Sequence, residues 1–319
     1  MQRADGILRP SPITLELADD AAPVRRPRAV DGLQRIRHGV YADAGTWRTL
    51  APWDRYLARV QAVCALRPDA VVTHESAAAV LGLPLFGEPK DVHLFDLGGA
   101  KTHRVGDVVR HTSQVRPPTL VRDGIRCTTP AHTVATLARL LPPAFSLALL
   151  DAALAGEHGL TVADLLAAHG RSVDRRGVRV WEWAIARADA VAESPGESVS
   201  RAVIEWLGFP APQLQRTFRW EGHTDRADFW WQDYGVVGEF DGFGKYDDPD
   251  PDAVRAALRR EKQREDRLRR HVASVARWTW SDLLQVQPLE HALRLAGLPR
   301  TGRPHRAMLA TLRRNPRSR

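Results

Sequence analysis

One short segment constrains this chain more than any other. Val236 to Asp241 (VVGEFD) is an apolar run of strand length that ends on two carboxylates, Glu239 and Asp241. Successive strand side chains point to opposite faces, so the two acids share one face and Phe240 takes the other. An earlier apolar run, ADFWW, carries a third acid, Asp228, eleven residues before Glu239. Acids gathered at one sheet repel and resist desolvation unless a cation or a proton compensates them. Oxygen ligands with no nearby Cys and no His doublet suit Mg²⁺ or Mn²⁺ better than Zn²⁺. A solvated strand face is the alternative for each of these acids.

The flanking sequence supplies a frame for that sheet. Ser194-Pro195-Gly196-Glu197 is a capping-box pattern with proline at the first helical position, and it opens a helix that runs to Leu207 and stops at Gly208. Thr217 to Trp220, Ala227 to Trp231 and Val236 to Asp241 read as three strands, followed by a long helix from Asp252 to His271 and a strand from Ala273 to Trp280. On the long helix Val254, Leu258, Glu261, Glu265, Leu268 and Val272 share one stripe, so two glutamates stand in an apolar line. Arg277, on the last strand's alternation with Val275 and Thr279, is placed to pair with Glu261 and Glu265 and support the sheet. Glu197 is either only the capping glutamate or a participant in chemistry. Six of the ten tryptophans fall between Trp206 and Trp280, which reads as core or as a base-stacking surface.

These segments (ESPGESVSRAVIEWLGFP, TDRADFWW, VVGEFDGFGKYDD, LRREKQREDRLRR, VARWTW) resemble the very-short-patch-repair-like endonuclease domain, a branch of the PD-(D/E)XK nuclease superfamily. The resemblance covers about the last third of the chain. It implies that Asp228 and Glu239 bind the metal with help from the backbone carbonyl of Phe240, and that Glu197 is an accessory acid. The metal would lower the pKa of the attacking water and offset charge on the phosphodiester transition state. Where the superfamily usually has lysine, this chain has Asp241. The chain has only four lysines, at 90, 101, 245 and 262, so Lys245 first and Lys262 second are the candidates for a tunable amine.

The first half reads differently. Residues 1 to 30 mix Pro, Asp and Arg without apolar period and read as a flexible lead-in. Leu33 to Tyr41 reads as a strand, Asp54 to Leu66 as an amphipathic helix, and Thr73 to Gly82 as a second, shorter one. Strand-like pieces between Asp91 and Ile125 suggest a small antiparallel sheet, and Thr129-Pro130, Phe145 to Leu154 and the Thr161/Asp164 pair mark three further helices. RIRHGVYAD, THESAAAVLGL, TTPAHTVATLARLL and LLDAAL resemble the abortive-infection AbiEi-like antitoxin proteins, in which a winged helix-turn-helix begins the chain. In that arrangement Arg35, Arg37 and His38 lie on a wing strand that contacts DNA phosphates. The helices expected before the wing fall in residues 1 to 30.

The fold class is therefore mixed α/β (α+β). It comprises a lead-in (1–30), a winged-helix-like and mixed α+β region (31–190), a restriction-endonuclease-like α/β/α domain (191–295) and a basic flexible tail (296–319). The net charge of +8 follows the same division, because seven arginines and no acid lie beyond Pro299 and the rest of the chain sums to +1. No apolar stretch approaches the length of a membrane span. Two cysteines, Cys64 and Cys127, suit a reducing cytoplasm rather than a disulfide scaffold. Two functions remain open: a Mg²⁺- or Mn²⁺-dependent DNA endonuclease with an upstream targeting region, or a transcriptional regulator or antitoxin-type DNA-binding protein whose nuclease fold no longer cuts.

Overall fold

A computed structural model of the chain describes residues 9–18, 32–99, 101–242 and 251–314, leaving out the side chains of 122, 251–258 and 260. The fold is mixed α+β. Its strands are β1 (Glu16–Leu17), β2 (Leu33–Arg37), β3 (Val40–Asp43), β4 (Val71–Val72), β5 (Val92–Phe95), β6 (His103–Val105), β7 (Val108–His111), β8 (Thr119–Arg122), β9 (Ile125–Thr128), β10 (Gln213–Trp220), β11 (His223–Trp231), β12 (Val236–Asp241) and β13 (Ser274–Thr279). Between them lie α1 (Ala44–Thr49), α2 (Pro52–Leu66), α3 (His74–Val80), α4 (Pro130–Leu140), α5 (Pro143–Ala155), α6 (Val162–Gly170), α7 (Val178–Ile185), α8 (Pro195–Leu207) and α9 (Pro251–His271). Three short helices follow: α10 (Trp280–Gln285), α11 (Gln287–Leu295) and α12 (Arg306–Leu309). Among the described residues no helix is long and apolar enough to cross a membrane.

The chain divides into two compact units, the first drawn from Met1–Leu141 and Gly156–Glu182, the second from Pro142–Ala155 and Trp183–Arg314. Helix α5 therefore belongs with the second unit, although sequence order groups it with the first. It carries Asp151, fully buried, which accepts a hydrogen bond from Arg201 on α8 at 2.7 Å and another from the Asp189 N–H at 2.8 Å. A buried carboxylate needs such partners, and they come from the second unit.

In the first unit β1, β3 and β2 make a small sheet, and β6-β7-β5-β4-β9-β8 make a six-stranded one that is mixed, not antiparallel as the sequence suggests, because β5 pairs β7 and β4 pairs β9 in parallel. The segment read as one strand from Leu33 to Tyr41 is a hairpin, because the chain turns at His38-Gly39 and returns as β3. Part of the expected lead-in is ordered as well. β1 pairs with β3, and Ile13 is buried with Ala42 and Ala58. Thr161 and Asp164 form the expected capping box on α6, whereas Thr73 makes no side-chain cap to α3.

The second unit is an α/β/α sandwich. Its sheet runs β10-β11-β12-β13, antiparallel at the first two joints and parallel between β12 and β13, so that α9 is the crossover. On one face, Trp278 donates to Ser200 of α8 at 2.8 Å and Phe229 packs on Trp278. Leu268 of α9 covers the other face with Ala227, Val237 and Phe218. Gly208 ends α8 at φ +82°, and its carbonyl accepts from Thr301 and Gly302 at 2.9 and 3.0 Å. The tail expected to be flexible from 296 thus packs on α8, with Leu298 and Leu312 buried. Residues 315–319 lie outside the described residues.

Gly196 sets how closely α8 approaches β12, because a Cβ there would fall inside the Phe240 ring. Gly196→Ala is expected to destabilise the protein by roughly 1–3 kcal/mol through overpacking. A urea unfolding midpoint unchanged from wild type would contradict this docking.

Candidate functional site

The acids singled out in the sequence separate into two settings. Asp228 sits at a break in two ladders. β11 pairs with β12 only from Phe229↔Gly238 to Trp231↔Val236, and pairing with β10 skips from Leu214↔Phe229 to Arg216↔Ala227. Ala227 packs toward α9 while Phe229 packs toward α8, so the period-2 alternation is interrupted at Asp228. Its carboxylate accepts from the Phe240 N–H at 2.9 Å in place of a strand partner. Across the skipped pair, Gln215 holds φ +51° and donates its amide to Glu197 at 2.7 Å and, more weakly, to Asp228 at 3.5 Å. Gln215 therefore ties the first-helix acid to the strand acid, a role that no local sequence pattern announces.

Ser194 caps α8, but the expected capping box closes one residue early, because Glu197 reaches back to the Glu193 N–H and not to that of Ser194. The Glu197 carboxylate accepts from the Glu193 N–H and the Ser194 hydroxyl, and its own N–H donates to Ser194 at 3.3 Å. With the Gln215 bond added, one carboxylate serves both the helix start and the Asp228 end of the sheet.

Glu239 faces α9. It is 4% exposed and accepts two hydrogen bonds from Arg264, both at 2.7 Å, and a third from Arg277 at 2.8 Å. Glu261 binds the same two arginines at 2.8 and 2.9 Å. Glu265 and Asp241 stand at 3.9 Å from Arg277. The pairing of Glu261 and Glu265 with Arg277 follows the sequence expectation. Arg264 was not anticipated, nor was Arg267, which closes a similar bidentate pair on buried Asp225 at 2.7 and 2.9 Å. Hydrogen bonds from Arg264, opposed by burial and helped by Arg277, hold the Glu261 carboxyl at about 2. Burial works against the charged forms of Arg264 and Arg277, but their carboxylate partners outweigh it and raise both.

These contacts decide how well a divalent metal fits. Asp228 belongs to an oxygen-rich end of the sheet, but Glu239, the second ligand implied by resemblance, has its oxygens taken by two guanidiniums. As arranged, Glu239 does not fit a metal ligand. Among the described residues no three His, Cys, Asp or Glu side chains are grouped as a metal ion requires. Lys262 is exposed on α9, and Lys245 lies outside the described residues, as do the side chains of Val254 and Leu258. Trp206, Trp231, Trp278 and Trp280 are buried, and Trp220 and Trp230 pack against the Phe218 cluster, so these six are core.

In the first unit Arg35 and His38 are exposed on the hairpin, whereas Arg37 pairs with Asp107 at 3.2 Å. Sequence reasoning missed a histidine cluster there. His93 Nδ1 and His111 Nε2 share a hydrogen bond of 2.8 Å, the His74 ring stacks on His111 at 3.9 Å, and His93 Nε2 stands 3.5 Å from Glu75. Burial, reinforced by His93, lowers His111 to about 4, and burial with Arg139 and Arg171 lowers His132 to about 4. Burial also pushes His74 and His93 down. Both thiols, Cys64 and Cys127, are free, and burial raises them to about 11 and about 12.

Two proteins of Mycobacterium tuberculosis, named uncharacterized protein MT2308 and uncharacterized protein Rv2248, are each 30% identical to this chain over 213 residues, which is 66% of this chain and 74% of theirs. No family model matches the chain, and no solved structure matches it.

The histidines give the first unit an acid-sensitive element. A histidine whose folded pKa is depressed adds stability that is complete above its unfolded value near 6.5 and is lost as pH falls toward about 4. Stability is expected to drop between pH 7 and pH 5 by on the order of 1 kcal/mol each for His111 and His132. The drop should shrink in a His111→Gln/His132→Gln variant. Denaturant titrations that show the same drop in that variant would remove these groups as its source.

Proposed function

The chain belongs to the family of those two mycobacterial proteins, and from the geometry above, not from them, we propose that it acts on DNA and that its second unit hydrolyses phosphodiester bonds. The observation that supports this reading is the convergence at one sheet end. Asp228 sits where β11 and β12 stop pairing, and Gln215 ties it to Glu197 from the start of α8. Acids from a first helix and an interior strand meeting where a sheet opens are what a water-activating site needs. Mg²⁺ or Mn²⁺ is the cofactor proposed by resemblance. In the first unit the exposed Arg35 and His38 would contact DNA phosphates, with Arg37 partly withheld by Asp107. A cytoplasmic setting is proposed because Cys64 and Cys127 are both free of a disulfide.

A second reading draws on a different observation. Two guanidiniums fill Glu239, and Asp241 stands where the superfamily has lysine. On that reading the protein is a DNA-binding regulator or antitoxin whose nuclease fold no longer cuts.

The two readings separate when purified protein is incubated with supercoiled plasmid and with single-stranded DNA in Mg²⁺, Mn²⁺ or EDTA, beside Asp228→Asn. Cleavage is expected in metal and abolished by EDTA and by the substitution. Folded wild-type protein that binds DNA but leaves both substrates intact would reverse the choice in favour of the regulator.

A further inference from the structure

The six-stranded sheet of the first unit carries a cavity that neither reading of the function uses. We propose that this cavity binds a small phosphate monoester with an apolar or aromatic body, its phosphate held by Arg110 and Arg67. The inference goes beyond the proposed function and does not rest on it.

The cavity lies where the chain leaving α2 turns into β4, beside β5 and β7, and its volume is about 430 Å³. Small-ligand sites commonly occupy about 300–1,000 Å³. Arg110 on β7 is the register partner of Leu94 on β5, and both line the cavity. His93 and His111, their sequence neighbours, take the other face of these strands by alternation, and neither lines the cavity. Arg110 is the residue that points to a ligand. Its Nε is buried and finds no acceptor, and among the described residues neither Arg110 nor Arg67 is paired with a carboxylate. A buried donor without an acceptor destabilises a fold, so an arginine kept in that state on a cavity wall is explained by an anion that arrives from outside.

The rest of the lining defines the ligand class. Two guanidiniums at one cavity suit a dianion, and a phosphate monoester near neutral pH carries close to two negative charges on three acceptor oxygens. Asp69 and Asp96 line the same cavity. Asp96 uses Oδ1 to accept from the Gly98 N–H at 3.0 Å, which leaves Oδ2 to accept from a hydroxyl or amine of the ligand. Leu94 and Phe95 supply an apolar wall for the ligand's body. Bare phosphate fills only part of this space and leaves that wall wet, so the organic body adds to affinity.

The test is isothermal titration of the full chain in EDTA, so that no metal-held phosphate in the second unit contributes. The probes are AMP and 1-naphthyl phosphate, which join an anion to an aromatic body, with inorganic phosphate and adenosine as the separate halves. Arg110→Gln, Arg110→Lys and the exposed turn variant Arg67→Gln are compared with wild type, each first shown to be folded by circular dichroism. At least one of the two monoesters is expected to bind wild type roughly tenfold tighter than inorganic phosphate or adenosine does. Arg110→Gln should weaken that monoester roughly tenfold or more, Arg110→Lys less, and Arg67→Gln should weaken it in the same direction. The proposal is overturned if neither monoester binds more tightly than inorganic phosphate. It is equally overturned if the monoester affinity is unchanged in both Arg110→Gln and Arg67→Gln, which would place the binding elsewhere on the chain. Plasmid cleavage or its absence bears on the second unit alone and leaves this result unaffected.

Discussion

The second unit depends on one buried carboxylate. Glu239 lies on β12 in the middle of the sheet, Arg277 on β13 beside it, and Arg264 with Glu261 on the crossover helix above. A carboxylate at that depth is tolerated only when paired and fully hydrogen-bonded. Two guanidiniums meet that need, and in doing so they fix the height and rotation of α9 over the sheet. The same contacts explain why the chain keeps four carboxylates around two arginines instead of an apolar seam. Such an ionic cluster adds little stability relative to well-packed hydrophobic side chains, and of its members only Glu239 is buried.

The opposite face of the sheet depends on close approach, not charge. Gly196 lets the first turn of α8 rest on Phe240, and Gly238 leaves room for the Trp231 and Trp278 indoles. That packing brings Glu197 to the end of the sheet where Asp228 accepts the Phe240 N–H. Phe240 thus links both faces. Its ring sits under α8, its amide orients Asp228, and its neighbours Glu239 and Asp241 turn to α9.

Much of this was legible in the sequence, for local reasons. The Ser194 cap and the stop at Gly208 depend on hydrogen bonds within one helix, and α8 has those bounds. The Glu261, Glu265 and Arg277 pairing followed from helical and strand periods alone. Arg264 escaped because it lies about 80° from the centre of that stripe, and a long side chain reaches around a helix in a way that periodicity does not register. Gln215 escaped because its left-handed backbone comes from the ladder break beside Asp228, a tertiary feature. The histidine cluster joins side chains of α3, β5 and β7 that are far apart in the chain. Helix α5 is apolar all round, so its pattern could not say which unit would bury it.

A double-mutant cycle in urea between Glu239→Gln and Arg264→Lys tests the central claim most directly. If the bidentate pair organises the second unit, the coupling energy should be at least about 1.5 kcal/mol, above the range of exposed ion pairs. A coupling below about 0.5 kcal/mol, with both single variants folded, would show that Glu239 and Arg264 act independently and that the sheet and α9 are held together by something else.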